Sequence, residues 1–162
     1  MVREEARFVK PFYLQMMGLA VLTDGRTPLP VNEVRRASRT VSTDLVVRFL
    51  RAEWRPRVMG AWYATRQDPA TIEPALLQSL ETSAGTLTAP PLATAATVVL
   101  GQRALPALRV YAGRAASNPH LGADGFVAAA MESLGEPGLV VPTDEDRDNL
   151  RRMLDLAREI RS

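Results

Sequence analysis

The sequence predicts an all-α fold: a short α-solenoid of about three helix pairs with capping segments at both ends. Three observations predict it. Ten-residue segments recur at a constant offset of thirty-four positions: Val58 to Gln67 (VMGAWYATRQ), Leu92 to Gly101 (LATAATVVLG) and Phe126 to Gly135 (FVAAAMESLG). A fixed period of this size marks stacked supersecondary units, because one helix pair cannot bury its apolar face alone. The triplet Pro-Ala-Leu recurs at Pro74 to Leu76 and Pro106 to Leu108, which pairs a second helix with each of two repeats. Gly25, Pro28, Pro69, Gly101, Pro119 and Pro137 fall between the apolar stretches, as helix punctuation requires.

The chain of 162 residues fits one domain, read as an N-terminal cap and loop over 7–40, repeats over 42–135 and a C-terminal capping helix over 143–161. In the first segment, Pro11 suits the start of a helix that carries the apolar run Phe12 to Leu22. Gly25, Pro28 and Pro30 then read as loop. Ser42 is a good N-cap for a helix with Leu45, Val46, Phe49 and Leu50 on one face and Arg48, Arg51 and Arg55 on the other. That helix is expected to stop near Trp54, because the residue before Pro56 is pushed out of the α region.

Pro56 starts the first repeat helix, with Val58, Ala61, Trp62 and Thr65 facing inward, and Asp68-Pro69 ends it. The next helix carries Ile72, Leu76 and Leu80, with Pro74 in its first turn. After a loop over 83–90, the second repeat helix buries Leu92, Ala95, Ala96 and Val99, and Gly101 suits a positive φ at its C-terminus. Leu105, Leu108, Tyr111 and Ala112 form the stripe of its partner, before Asn118-Pro119 breaks the chain. Phe126, Val127, Ala130, Met131 and Leu134 mark the third repeat helix. The last helix is capped by Thr143, has Asp144, Glu145 and Asp146 in its first turn and Arg158 and Arg161 in its last, and buries Leu150, Met153, Leu154 and Ala157. It is expected to cover the open end of the stack.

Composition bounds function by exclusion. A hydrophobic fraction of 46% and a charged fraction of 23% are those of an ordinary globular chain. No apolar run is long enough to span a membrane, and the first residues do not read as a secretion signal, so a cytoplasmic protein with no membrane partner is the expectation. Without cysteine there is no thiolate nucleophile and no Cys-ligated metal. No phosphate loop, dinucleotide fingerprint, zinc signature or nucleophile elbow occurs, so no cofactor or metal is expected.

The net charge of +2 hides an asymmetry: twelve Arg or Lys against six Asp or Glu up to Arg66, and eight against twelve afterwards. The halves are basic and acidic, which either steers an acidic partner or reflects mutual attraction and solvation.

The stretches VKPFYLQMM, EWRPRVMGAWYA, PALRVYAGRA and DGFVAAAMESLG together resemble an uncharacterised bacterial domain family with HEAT-like helical repeats. The resemblance covers Phe8 to Gly135, and its most specific motifs are Pro11-Phe12-Tyr13 and Glu53-Trp54-Arg55. It implies a HEAT-like solenoid and brings no activity with it. In that family the third repeat helix opens with Asp-Gln and a Trp, whereas here Asp124 is followed by Gly125 and Phe126.

Candidate chemistry is sparse. His120, the single histidine, stands in a turn near Asp124, where a solvated surface residue is a better fit than a general base. Asp144, Glu145, Asp146 and Asp148 are explained by the helix dipole. Trp62 reads as core, while Trp54 either staples the N-terminal cap or stands in a groove. Arg55 either pairs with Glu53 or binds a ligand.

The leading expectation is therefore a non-enzymatic protein-binding module, adaptor or immunity-like, that meets an acidic, partly apolar patch of another protein. It would use the concave face of the inner helices and a basic rim formed by Arg48, Arg51, Trp54, Arg55 and Arg66. Nucleic-acid binding through the arginine-rich segment 35–57 is the alternative. A third reading, an enzyme resembling HEAT-like base-excision glycosylases, rests on Asp124 and Glu132 as lone carboxylates.

Overall fold

Ser42 shows how directly the local signals act: its hydroxyl accepts a hydrogen bond from the Leu45 N–H at 3.3 Å and starts a helix there. In the computed structural model, which describes residues 1–23 and 29–162, all regular structure is helical. Gly25 and Pro28 of the predicted loop lie outside the described residues. The elements are α1 (Val2–Phe8), α2 (Tyr13–Met16), α3 (Ala20–Thr23), α4 (Val31–Thr40), α5 (Thr43–Arg51), α6 (Trp54–Ala64), α7 (Pro69–Glu81), α8 (Ala89–Leu100), α9 (Leu105–Ser117), α10 (Asp124–Ser133) and α11 (Asp144–Arg161). Short 3-10 turns precede α9 and α10. None of these helices is long and apolar enough to cross a membrane.

Three rows of helices follow from the distribution of apolar residues. α5, α7 and α9 neighbour one another in one row, and each packs against the next helix in the chain, α6, α8 or α10, which form a second row. α6, α8 and α10 are apolar on nearly every side, and such helices belong between layers. In α10 the run Phe126 to Met131 is buried, and in α6 everything from Val58 to Ala64 is. Gly60 permits the close approach of α5 to α6, since a Cβ there would lie 3.0 Å from the Leu50 nitrogen. The third row comes from both ends of the chain: α2 packs on α6, and α11 lies across α8 and α10 and also meets α4. Each large apolar side chain buried in this way contributes about 1.5–3 kcal/mol.

Several expectations are corrected. The N-terminal segment is three short helices and not one, because Met17 is extended and Gly18 takes φ +53°, where its N–H donates to the Leu87 carbonyl at 2.8 Å. α4 is a helix within the predicted cap and loop; only Val34 and Ser38 are buried in it, too thin a stripe to stand out in sequence. α5 ends at Arg51, and Trp54 opens α6, because Glu53 turns extended as its N-cap. Asp68 does not merely end α6: its carboxylate accepts from the Thr71 N–H at 3.0 Å and starts α7, which moves Pro74 beyond the first turn. In α11 the capping box of Thr143 and Asp146 forms, and Leu156 is buried where Leu154 is only partly so. α11 also covers the flank of α8 and α10 and not an open end. The sides of α8 and α10 that meet α11 are therefore covered.

Candidate functional site

Two hydrogen bonds from α6 hold the N-terminal helices in place. The Trp62 indole N–H donates to the Met16 carbonyl at 2.9 Å, and the Tyr63 hydroxyl to the Phe8 carbonyl at 2.6 Å. Both rings are buried, and burial raises the Tyr63 pKa well above the ordinary phenol value. This anchoring carries α2 to the start of α6. There Tyr13 meets Trp54 edge to face, with ring centroids 5.6 Å apart and planes at 74°. The Arg55 guanidinium carbon lies 4.5 Å from the Trp54 ring centroid and 5.5 Å from that of Tyr13. A cation over an aromatic face at a partly exposed site is worth about 0.5–1 kcal/mol, enough to orient the guanidinium without neutralising it.

Arg55 therefore stacks and does not pair with Glu53. Among the described residues, no carboxylate lies within salt-bridge distance of Arg48, Arg51 or Arg55. Arg51 ends α5 three residues before Trp54, and Arg48 is exposed one turn earlier, 3.9 Å from the Met1 sulfur. Trp54, only half-buried, also walls a cavity of about 270 Å³ with the loop 84–88, His120 and Leu121. Leu87 in that loop is an exposed apolar residue. The corner thus offers positive charge, two aromatic faces and an apolar hollow side by side.

Arg66 does not join this corner. It follows the far end of α6, roughly 16 Å away along the helix axis, and donates to the Arg161 carbonyl at 2.5 Å. The arginine-rich segment 35–57 is likewise divided. Arg35 donates to the Glu159 carbonyl at 2.9 Å, Arg39 to the Ser162 carbonyl at 3.5 Å, and Arg57 to the Ala52 carbonyl at 3.1 Å. With Arg66, Arg35 and Arg39 fasten the last turn of α11, where the helix dipole favours cations.

The catalytic expectations fare no better. His120 and Asp124 line different cavities, Asp124 belonging to one of about 370 Å³ with Met17 to Ala20, Phe126 and Asp146. Glu132 is not a lone carboxylate: Arg147 donates to both its oxygens, at 2.7 and 3.0 Å, and these bonds lower its pKa. Among the described residues, no group of His, Asp and Glu side chains is arranged to hold a metal ion.

Tyr13 is the corner residue that sequence reasoning did not assign to the rim. Its signal was present, since Pro11-Phe12-Tyr13 and Glu53-Trp54-Arg55 were the two specific motifs, and the fold brings Tyr13 to Trp54. Compared with protein-family models, curated proteins and solved structures, the chain matches none.

Proposed function

We propose that this chain is a non-enzymatic protein-binding module that docks an acidic, partly apolar segment of another protein at the corner of Tyr13, Trp54 and Arg55, with Arg48 and Arg51 alongside. The observation that carries the reading is Arg55, held over two aromatic rings with no carboxylate partner among the described residues. Tryptophan, tyrosine and arginine are the residue types in which binding energy concentrates, and an unpaired cation beside an apolar hollow favours an acidic complement. The neighbour relations of α5 to α10 support reading them as three successive helix pairs of a short HEAT-like solenoid. In that reading α11 occupies the inner surface, which leaves the rim at the α5 to α6 turn as the docking surface.

Selection of a random peptide display library on the folded chain tests this reading. Acidic peptides with an apolar or aromatic residue are expected to be enriched. Trp54→Ala combined with Arg55→Ala is expected to weaken them by about 2 kcal/mol, near thirtyfold, with an unchanged helical circular-dichroism spectrum. Enrichment of basic peptides, or wild-type affinity in the folded double variant, sinks the reading. Tight, steeply salt-dependent binding of DNA or RNA through Arg36, Arg48, Arg51 and Arg55 would replace it with the nucleic-acid alternative.

A further inference from the structure

The turn between α5 and α6 faces the C-terminal end of α7, and Arg57 reaches across. Its Nε donates to the Ala52 carbonyl at 3.1 Å, and its Nη1 to the Thr82 carbonyl and hydroxyl, both at 3.3 Å. A cation placed between two helix C-termini offsets their partial negative charge. Its Nη2 has no acceptor among the described residues, though a guanidinium carries five N–H donors. Burial without a carboxylate lowers the Arg57 pKa.

Beside it opens a cavity of about 390 Å³ lined by Leu50, Arg51, Arg57, Gln78, Ser79 and Thr82. Ser79 is 2% exposed, and its hydroxyl has no hydrogen-bond partner among the described residues. A buried hydroxyl left unpaired costs about 1–3 kcal/mol, so its place in the wall of this hollow asks for a partner. Arg51 has no carboxylate within salt-bridge distance either, and no acidic side chain lines the cavity. The hollow is thus lined by the donor-bearing residues Arg51, Arg57, Gln78 and Ser79, while the Thr82 hydroxyl is already engaged by Arg57 and by the Gln78 carbonyl.

We infer that this hollow between α5 and α7 binds a phosphate monoester. Two arginines with no acidic side chain in the lining favour a ligand of more than one negative charge, and a phosphate monoester brings three acceptor oxygens and close to two charges where a carboxylate brings one. The volume leaves room for a small organic body beyond the phosphate. Arg51 is common to the docking corner, but Arg57, Gln78 and Ser79 are not, and the inference stands whether or not a protein docks at Trp54.

Isothermal titration of the full chain with glycerol phosphate at low salt, against acetate and chloride at matched ionic strength, is the test. Saturable binding of glycerol phosphate, well above acetate, is expected. Ser79→Ala and Arg51→Gln are each expected to weaken it about tenfold. Because Ser79→Ala removes an unpaired hydroxyl, its unfolding midpoint is expected to equal or exceed that of the wild type, which separates lost binding from lost folding. Trp54→Ala is expected to bind glycerol phosphate normally, so failure of the docking corner and failure of this site read out separately. A phosphoserine tetrapeptide distinguishes sources: tighter binding than glycerol phosphate assigns the group to a modified protein, weaker binding to a free metabolite. Equal binding of acetate, no saturable binding, or wild-type affinity in both folded variants overturns the inference.

Discussion

Arginine does different work in the two halves of this molecule. In the second half Arg103, Arg109, Arg147, Arg151 and Arg158 each meet a carboxylate. In the first half, among the described residues, only Arg35 does so, and it also donates to a backbone carbonyl. Of the other first-half arginines, Arg39, Arg57 and Arg66 turn to carbonyls, Arg55 and Arg7 to the aromatic faces of Trp54 and Phe8, and Arg48 to the Met1 sulfur. An arginine paired to a carboxylate has its field largely cancelled, whereas one stacked on a ring or bonded to a carbonyl keeps its charge available. The basic half is thus basic in its field as well as in its count, and both proposed sites draw their arginines from it.

Arg114, Arg152 and Arg161 break the pattern from within the second half by bonding to carbonyls, and Arg114 gives the largest expected effect. Its Nη1 donates to the Glu81 and Ser83 carbonyls, at 2.6 and 2.9 Å, and ties the end of α7 to α9. Arg114→Ala is expected to lower stability by about 2 kcal/mol in urea unfolding, with the loss persisting in high salt. A loss that vanished with salt would mean that carbonyl-bound arginines act through long-range charge after all. Arg35→Ala is expected to cost about 1 kcal/mol, since its carbonyl bond to Glu159 at 2.9 Å outlasts the exposed ion pair when salt is raised. Hydrogen exchange in the last turn of α11 is expected to rise in the same variant.

Smallest is the effect of a carboxylate-paired arginine. The hydrogen bond from Arg109 holds Glu136 below its ordinary pKa of 4.5; Arg109 is exposed and Glu136 half-buried. A folded-state pKa below the unfolded one stabilises fully above the unfolded value, and that contribution is lost as pH falls through the lowered one. Arg109→Gln is therefore expected to unfold slightly earlier than the wild type at neutral pH and low salt. The two curves are expected to converge in acid as Glu136 protonates. A gap that persisted below that range would assign Arg109 a packing role.

Much of the fold was legible from sequence because its signals act over three or four residues. Ser42 and Thr143 cap where their side chains reach the next turn, Gly101 takes φ +57° where a helix ends, and Val58, Trp62, Leu92, Ala96, Val127 and Ala130 are buried as their spacing indicates. The candidate site was legible only in pieces. Trp54 and Arg55 stood out by type, but Arg66 was drawn to the same rim although it follows the opposite end of the same helix. Ser79 was one more polar residue in a helix until α5 packed over it. Sequence by itself determined the all-helical class, the helices from α5 onward and which residues are apolar, because caps, prolines and periodicity are energies between neighbours in the chain. Tertiary structure alone decided that α11 lies across α8 and α10, that Tyr13 meets Trp54, and that Arg51, Arg57 and Ser79 share one hollow. Helices that are apolar all round, as α8 and α10 are, accept a partner on any side, so the choice among partners falls to the summed packing of the whole molecule.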